Sequence, residues 1–229
     1  MAVLGVDVSG YQSATFDTKG LAFVFVKATE STGYVNPKYK AQVAHARAGG
    51  LVVGHYHFGK NGGNAEADYF LSKLELHAGD ILAFDWETSG VSQAERDAFI
   101  KRVKAKAPGH KVVLYCNTDY WHNRDSDNGG PADGLWIADP NHAAGKPAIK
   151  HSWVFHQYSW AGGIDRNVAN FKDTKALRAW ANPAPVKPPV VTKPPVVTKP
   201  PVVTKPAPTL EYRVAALEAE VKAIQAKVK

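Results

Sequence analysis

LVVGHYHFGKNGGNAEADYFLSKLELHAGDILAFDWET (residues 51–88) is the stretch of the sequence that decides the fold. It opens with a predicted strand at 51–58, continues with a helical pattern at 64–79 and closes with a second predicted strand at 81–88. The strand predicted before it, LAFVFVKAT (21–29), begins with six apolar residues, as buried parallel strands do, and parallel strands need a crossover connection between them. The stretch therefore predicts one strand–helix–strand unit of a parallel sheet.

The same alternation continues on both sides of this unit. Helices are predicted at 36–50, which ends in glycine, and at 92–109, where Ser92 and Glu95 stand at capping-box spacing. Further strands are predicted at 5–9, 21–29, 111–117, 135–139 and 154–159. Strands and helices in this order predict an α/β fold, a TIM-like parallel barrel with an irregular last part. A doubly wound open sheet is the alternative.

Composition divides the 229 residues into three segments. Residues 1–182 have the mixed composition of a globular domain, and we assign the barrel to them. Residues 183–208 contain the hexapeptide KPPVVT three times. Because proline fixes φ and lacks an N–H, this segment is predicted to be an extended Pro-rich linker. Residues 209–229 are predicted to form a short coiled-coil helix.

The coiled-coil prediction depends on apolar residues that alternate at spacings of four and three. They are Leu210, Val214, Leu217, Val221, Ile224 and Val228. Association of helices buries such a seam, so we expect self-association through residues 209–229, as a dimer or a trimer. A lone amphipathic helix is the alternative.

The charge of the chain excludes some partners. The formal net charge is +7, but residues 183–229 hold eight Lys/Arg and three Glu, so most of the excess lies in this tail. A near-neutral barrel domain argues against nucleic-acid binding, which needs a basic face on the fold. No apolar run is long enough to span a membrane. The N-terminus MAVLGVDVSG has neither a basic region nor a long apolar core, so we expect synthesis in the cytoplasm without a signal peptide.

Motifs for metals, nucleotides and serine hydrolases are missing from the sequence. The single cysteine, Cys116, lies in an apolar run and is predicted to be a buried strand residue. No GxGxxG, GxxxxGK[ST], HExxH or GxSxG pattern occurs. His55 and His57, together with two nearby carboxylates, offer a weaker alternative of a divalent cation site. We predict that the chain uses no cofactor and no metal.

Polar residues that close the apolar runs are the candidates for chemistry, because barrel enzymes place their sites at the C-terminal ends of strands. These residues are Asp7, His57, Asp85, Glu87, Tyr115, Asn117, Asp139, Gln157 and Asp165. Asp85 and Glu87 are two residues apart in ILAFDWET, and in a strand both side chains would point to the same face. Repulsion between close carboxylates raises at least one pKa, which suits one acid and one stabilising carboxylate. Hydrolysis of a glycosidic bond needs this combination.

Aromatic residues gather near the same strand ends. They are Tyr56, Phe58, Tyr115, Trp136 and Tyr158. Sugar rings present apolar C–H faces, so these residues as a set are predicted to form a stacking surface for a saccharide.

Six segments together resemble the family 25 glycoside hydrolases, the Chalaropsis-type lysozymes common among phage endolysins and bacterial autolysins. They are GVDVSGYQ (5–12), GHYHFGK (54–60), AFDWET (83–88), LYCN (114–117), LWIAD (135–139) and HQYSWAGGIDRN (156–167). The resemblance implies an irregular barrel of five β/α units followed by three strands. It also implies hydrolysis of the β-1,4 bond between N-acetylmuramic acid and N-acetylglucosamine in bacterial peptidoglycan.

The resemblance also assigns catalytic roles. Glu87 matches the general acid, and Asp85 matches the carboxylate that orients the N-acetyl group or stabilises the oxocarbenium centre. Asp7 matches the active-site aspartate of the first strand. The resemblance leaves three mechanisms open: substrate-assisted catalysis, double displacement and inversion.

The substrate-binding residues follow in the same way. Asp165 matches the acidic residue of the last strand, although Arg166 stands where relatives often carry a small apolar residue. Tyr56, Tyr115 and Trp136 match aromatic residues that line the pocket. His57 and Gln157 each close a predicted strand, and we expect both to bind substrate.

An active lytic enzyme is the leading functional hypothesis, with release through a holin pore to the cell wall for host lysis. A non-catalytic peptidoglycan-binding protein on the same barrel is the alternative, as is a virion-associated component that docks through residues 209–229. The retained Asp7, Asp85 and Glu87 favour the enzyme.

Overall fold

The computed structural model describes residues 2–182, which form a barrel of eight strands with helices outside it. The strands are β1 (Val3–Val8), β2 (Phe23–Glu30), β3 (Tyr34–Val35), β4 (Val52–Phe58), β5 (Ile81–Asp85), β6 (Lys111–Asn117), β7 (Gly134–Ala138), β8 (Phe155–Ser159) and β9 (Asp165–Ala169). The helices are α1 (Tyr39–Ala48), α2 (Gly63–Ser72), α3 (Gln93–Lys106), α4 (Thr118–Asn123) and α5 (Thr174–Ala181). The linker predicted at 183–208 and the coiled coil predicted at 209–229 lie outside the described residues.

The sheet closes on itself. The strand order is β1-β9-β8-β7-β6-β5-β4-β2, and β1 pairs with β2 in parallel, which completes the barrel. Strand β9 runs antiparallel to both of its neighbours, while the short β3 pairs only with β2. The predicted α/β barrel with an irregular last part is therefore confirmed, and the open doubly wound sheet is excluded.

Only some of the strands are followed by a helix. Helix α1 comes after the β2–β3 hairpin, and α2, α3 and α4 follow β4, β5 and β6. The connection between β1 and β2 contains turns and bends instead of a helix, in keeping with the turn-forming Ser, Thr, Asp and Gly residues of SGYQSATFDTKG at 9–20. Strands β7, β8 and β9 follow one another without helices. Four of the five expected β/α units thus carry a helix.

Alternation along the strands creates two separate cores. Residues that point outward, such as Val24, Val53 and Leu82, pack under the helices. Residues that point inward fill the barrel interior, among them the large rings of Phe23 and Phe25. The interior has room for these rings because Gly5 and Gly54 face them: a β-carbon at either glycine would overlap a phenyl ring. The barrel is therefore a packed core that opens only at its ends.

Helix α3 begins as the sequence predicted. Ser92 accepts a hydrogen bond from the Glu95 backbone N–H, and Glu95 accepts one from the Ser92 backbone N–H, which completes the capping box. An N-cap of this kind contributes about 1 kcal/mol to stability. Helix α2 is shorter than predicted and ends at Ser72. The chain instead turns before β5, where Asp80 accepts a hydrogen bond from the His77 N–H.

The structure also shows the environment of Cys116 and the lengths of the helices. Cys116 is fully buried in β6, on the side that faces the helices, as predicted. Within residues 2–182, no helix has the length and apolar character needed to cross a membrane.

Candidate active site

A cleft of about 510 Å³ opens at the C-terminal ends of the parallel strands. This is the end of a β/α barrel at which catalytic groups are found. Eight of the nine site residues expected from the sequence line the cleft, namely Asp7, Tyr56, Asp85, Glu87, Tyr115, Trp136, Gln157 and Asp165. The structure thus brings the three predicted catalytic carboxyl groups into one space.

Trp86 explains how Asp85 and Glu87 come to face the cleft together. Strand β5 ends at Asp85, so Glu87 lies beyond the strand and not within it, as the sequence had suggested. The Trp86 backbone N–H still donates to Tyr115 O (2.8 Å), which continues the pairing with β6 for one more residue. The buried Trp86 ring packs in the outer core, and its indole N–H donates to Val91 O (2.9 Å). The residues on either side of this anchor therefore turn toward the cleft.

Asp85 is a buried carboxyl group with an unused oxygen. Its Oδ1 is the one fully buried side-chain polar atom among residues 2–182 that lacks a hydrogen-bond partner. Burial raises the pKa of Asp85 well above its ordinary value, and the nearby charge of Glu87 raises it further. An unpaired buried acceptor costs stability, so its retention indicates a role with a ligand.

Glu87 is an acid whose proton is held more tightly than usual. Burial is the largest cause and raises the pKa of Glu87, and the charge of Asp165 acts in the same direction. The positive charges of Lys27 and Lys60 act against this rise. A carboxyl group with a raised pKa that faces a cleft suits general acid catalysis.

Asp7 is held by amide groups on the opposite side of the barrel from β5. Its Oδ2 accepts hydrogen bonds from Gln157 Nε2 (2.8 Å) and from Asn167 Nδ2 (2.7 Å). These amides are themselves fixed, since Trp136 Nε1 donates to Asn167 Oδ1 (2.7 Å) and the Tyr115 hydroxyl donates to Gln157 Oε1 (3.2 Å). Burial and the charge of the adjacent Asp165 raise the pKa of Asp7 to about 7. The position of Asp7 is therefore set by a network that crosses the cleft floor.

Four of the five aromatic residues predicted to stack on sugar line the cleft, namely Tyr56, Phe58, Tyr115 and Trp136. Trp136 is 2% exposed and its ring stacks on Phe25, with 4.1 Å between centroids. Tyr115 and Tyr56 meet the Trp136 ring edge-on and are also buried. Phe25 covers one face of the Trp136 ring and Tyr56 and Tyr115 are each 8% exposed, so these side chains offer little ring surface to a ligand.

The structure places His57 away from the cleft, which corrects its assignment as a substrate-binding residue. Its ring is fully buried in the outer core, where it lies between Thr29 Oγ1 (2.8 Å) and Glu66 Oε2 (3.1 Å). The reason is strand alternation: in β4 the inward residue is Tyr56, so His55 and His57 point to the helices. The alternative of a cation held by these histidines and the β5 carboxylates fails for the same reason.

Tyr158 and Asp139 also lie outside the residues that line the cleft. Tyr158 follows the inward Gln157 and, like His57, is on the other face of its strand. Asp139 folds back on its own loop, where it accepts hydrogen bonds from the Ala148 N–H (2.8 Å) and His142 Nδ1 (2.9 Å). No group of three or more His, Cys, Asp or Glu side chains in residues 2–182 is arranged to hold a metal ion.

Several residues of the site were missed by reasoning from the sequence. Lys27 lines the cleft and forms an ion pair with Glu30 (2.7 Å). The signal for Lys27 was a single charge inside the apolar run LAFVFVKAT. Tyr11 and Trp160 also line the cleft, and Asn167 supports Asp7 from β9. These three gave no signal beyond their membership of the quoted motifs.

Known proteins resemble this chain over the same barrel. Lysozyme M1 of Streptomyces globisporus is 28% identical over 219 residues, covering 80% of this chain and 72% of that protein. The lysozyme of Streptococcus phage Cp-1 is 31% identical over 132 residues, covering 52% of this chain and 38% of that protein. The structure of a muramidase from Acremonium alcalophilum superimposes with a TM-score of 0.68 at 28% identity, over 79% of this chain and 99% of that one.

A family model matches most of the barrel. The model described as "Glycosyl hydrolases family 25" matches residues 6–166, from β1 into β9, and so includes every carboxyl group of the cleft. This range covers well over half of the 229 residues. The chain belongs to glycosyl hydrolase family 25.

Proposed function

We propose that this glycoside hydrolase is a muramidase that cleaves the β-1,4 bond between N-acetylmuramic acid and N-acetylglucosamine of bacterial peptidoglycan, with Glu87 as the general acid. The observation that carries the proposal is the pair Asp85 and Glu87, two carboxyl groups with raised pKa values at one cleft. Membership of family 25 and the relatives named lysozyme and muramidase support the same activity. The presence of Asp7, Asp85 and Glu87 in one cleft disfavours a binding-only protein.

Glu87 supplies the proton that the reaction needs. The oxygen of the scissile bond leaves as an alkoxide unless it is protonated, and Glu87 donates its carboxyl proton to that oxygen as the C–O bond breaks. The group must be protonated in the resting enzyme, and its raised pKa increases the protonated fraction near neutral pH.

Asp85 is the carboxyl group that orients the acetamido group of the substrate. Asp85 and Glu87 lie close enough to titrate as a pair, so a contact made by one changes the ionisation of the other. Among residues 2–182, no group donates a hydrogen bond to Asp85 Oδ1. An acetamido N–H of the substrate that donates to the Asp85 carboxyl group would lower the pKa of Asp85 and leave the proton on Glu87. This arrangement suits the substrate-assisted route, in which Asp85 holds the acetamido group against the anomeric carbon.

Asp7 and Asp165 form a second acidic pair across the cleft. They are register partners on β1 and β9. The charge of Asp165 raises the pKa of Asp7, while burial raises the pKa of Asp165 and a hydrogen bond with Asp7 acts against that rise. Two amide donors already occupy Asp7 Oδ2, which fixes the carboxyl group in place. We assign this pair to sugar hydroxyl groups and to water, in support of the β5 carboxyl groups.

The product ends test the proposed bond. Purified peptidoglycan should be digested, reduced with borohydride and analysed by mass spectrometry for the sugar at each new end. Cleavage at the proposed bond creates ends that reduce to muramitol. Ends that reduce to glucosaminitol would mean that the other glycosidic bond is cut, and the lack of new ends on several peptidoglycans would favour the binding protein.

Lys27→Met is expected to move the alkaline limb of the pH–activity profile to higher pH. Lys27 lowers the pKa of both Asp85 and Glu87, so its removal raises these pKa values. A general acid acts only below its pKa, and activity would therefore persist to higher pH. The exposed Lys19→Met, made in parallel, should leave the profile unchanged. A limb that stays in place or moves to lower pH would mean that another group sets it.

We further propose that the enzyme serves host lysis and is released to the wall through a holin pore. A phage lysozyme among the relatives supports this role. The Pro-rich repeat and apolar seam in the sequence are the basis for proposing a linker at 183–208 and self-association through 209–229.

A further inference from the structure

Two aromatic side chains at the cleft are exposed, in contrast to the buried aromatic floor. Tyr11 is 95% exposed and Trp160 is 63% exposed, and both line the cleft. In residues 2–182 the other large hydrophobic side chains that are exposed are Tyr34 and Val35. Since an aromatic side chain gains much from burial, two exposed rings at the same opening indicate a surface that a ligand covers.

The backbone under these rings is held in place. Tyr11 belongs to the turn after β1, where the Ser9 N–H donates to Gln12 Oε1 (2.8 Å). Lys38 Nζ donates to both Gly10 O and Gln12 O, each at 2.7 Å. The exposure of Tyr11 is therefore a property of a bonded turn, and its ring needs little further ordering of the backbone when a ligand binds.

A hydrogen bond joins this turn to the loop that carries Trp160. Gln12 Nε2 donates to Gly163 O (3.2 Å), between the β1–β2 and β8–β9 connections. Gly162 and Gly163 have φ values of 82° and 80°, which only glycine adopts readily, so the sharp turn after Trp160 depends on them. The two rings thus stand on loops that are tied to each other.

The rings lie across the barrel from the catalytic acid. Tyr11 follows β1 and Trp160 follows β8, and three strand-to-strand steps separate each of these strands from β5. A glycan that places its scissile bond at Glu87 and runs along the cleft toward β1 and β8 would therefore reach the two rings. The nearby groups of the cleft include Asp7, Asp119 and Asp165, which disfavour an anionic ligand and suit the hydroxyl groups of a sugar.

We propose that Tyr11 and Trp160 form an aromatic subsite that stacks on the C–H face of a pyranose ring in the glycan strand, at a sugar beyond the scissile bond. This inference rests on the proposed function, because it takes the glycan as the ligand. It assigns glycan binding to the two exposed rings and leaves bond cleavage to the carboxyl groups.

Fluorescence tests the subsite without any need for cleavage. Trp160 is the most exposed of the six tryptophans in the chain. Acrylamide quenching of Glu87→Gln should therefore report mainly on Trp160. A peptide-free tetrasaccharide or longer strand of peptidoglycan should protect Trp160 from the quencher. The double variant Glu87→Gln/Trp160→Phe is the control: it should still bind the strand but should show no such protection. A strand that binds without protecting Trp160, or that does not bind, would overturn the proposal.

Binding constants provide a second test of the aromatic subsite. In the Glu87→Gln background, Tyr11→Ala and Trp160→Ala should each raise Kd by roughly three- to tenfold, the size expected for one aromatic contact. Trp160→Phe should keep most of the affinity. Tyr69→Ala on α2, which does not line the cleft, is the control and should bind normally. Unchanged Kd values in both alanine variants would contradict stacking.

The two proposals can fail separately. If the wild-type enzyme cleaves no glycan but the strand still protects Trp160, the subsite stands and the proposed activity fails. If muramitol ends form while both alanine variants bind as Glu87→Gln does, the activity stands and the subsite fails.

Discussion

Glu87→Gln is expected to lower the rate of peptidoglycan cleavage by on the order of a hundredfold or more, with the fold unchanged. Glutamine keeps the size of the side chain but has no acidic proton to give to the leaving oxygen. Glu87 lies beyond the end of β5 and faces the cleft, so the change disturbs no core packing. The loss should appear in kcat, because the proton is needed in the transition state more than in substrate binding.

Reducing-sugar release from purified peptidoglycan measures this effect, with circular dichroism as the check on folding. Asp139→Asn is a matched control, because it also changes a carboxyl group to an amide at the end of a parallel strand. Asp139 bonds to its own loop and does not line the cleft, so this variant should keep activity within a few-fold. Equal activity of Glu87→Gln and wild type would move the role of acid to Asp85 or Asp7.

The barrel could be predicted because the local signals agree with the global fold. Continuous apolar runs, a glycine that ends α1 and the capping box of α3 all predict the same elements that the structure contains. The lack of a helix between β1 and β2 was harder to foresee. The resemblance supplied five β/α units, whereas the turn-forming residues of the segment from Ser9 to Gly20 favour turns.

The carboxyl groups of the site could be predicted because they follow apolar runs at strand ends. The error at His57 came from treating every polar residue near a strand end as part of the site. Strand alternation was already visible in LVVGHYHF: if Tyr56 faces the barrel interior, His55 and His57 face the helices. The inward orientation of Tyr56 would therefore have corrected the assignment of His57 to the site.

Other features depend on contacts between distant parts of the chain. Asn167 holds Asp7, which is 160 residues earlier, and no local pattern reveals that bond. The covered face of Trp136 likewise depends on Phe25, which reaches it across the barrel interior. The sequence showed an aromatic residue near the site but did not show whether its face was free. Exposure, which separates Trp136 from Trp160, emerges only when the barrel closes.

Arg96→Met is expected to lower the free energy of unfolding by about 3–5 kcal/mol, the range measured when one partner of a buried ion pair is removed. Arg96 is fully buried in α3 and forms ion pairs with Asp97, Asp125 and Asp127. Methionine fills part of the space but leaves these carboxylates without their cation. The cost is largest at Asp125, because its side chain is only 4% exposed and water cannot replace the lost cation.

The same substitution should weaken the site. The Arg96 guanidinium lies 4.7 Å from the ring centroid of Trp86, the anchor between Asp85 and Glu87. Under conditions in which Arg96→Met is still folded, we therefore expect a lower kcat as the two carboxyl groups lose their fixed geometry. Arg96 acts here through Trp86 and touches no substrate.

Urea unfolding followed by circular dichroism measures the change in stability, and Arg102→Met is the control on the same helix. Arg102 pairs with Asp68 at the surface, where water screens the charges, so this variant should unfold near the wild-type midpoint. Similar midpoints for both variants would mean that the buried cluster adds little to stability. A large loss confined to Arg96→Met would show that Arg96 contributes strongly to holding the loop containing Asp125 and Asp127 against α3, in addition to the hydrogen bonds that Ser126 donates to Gln93.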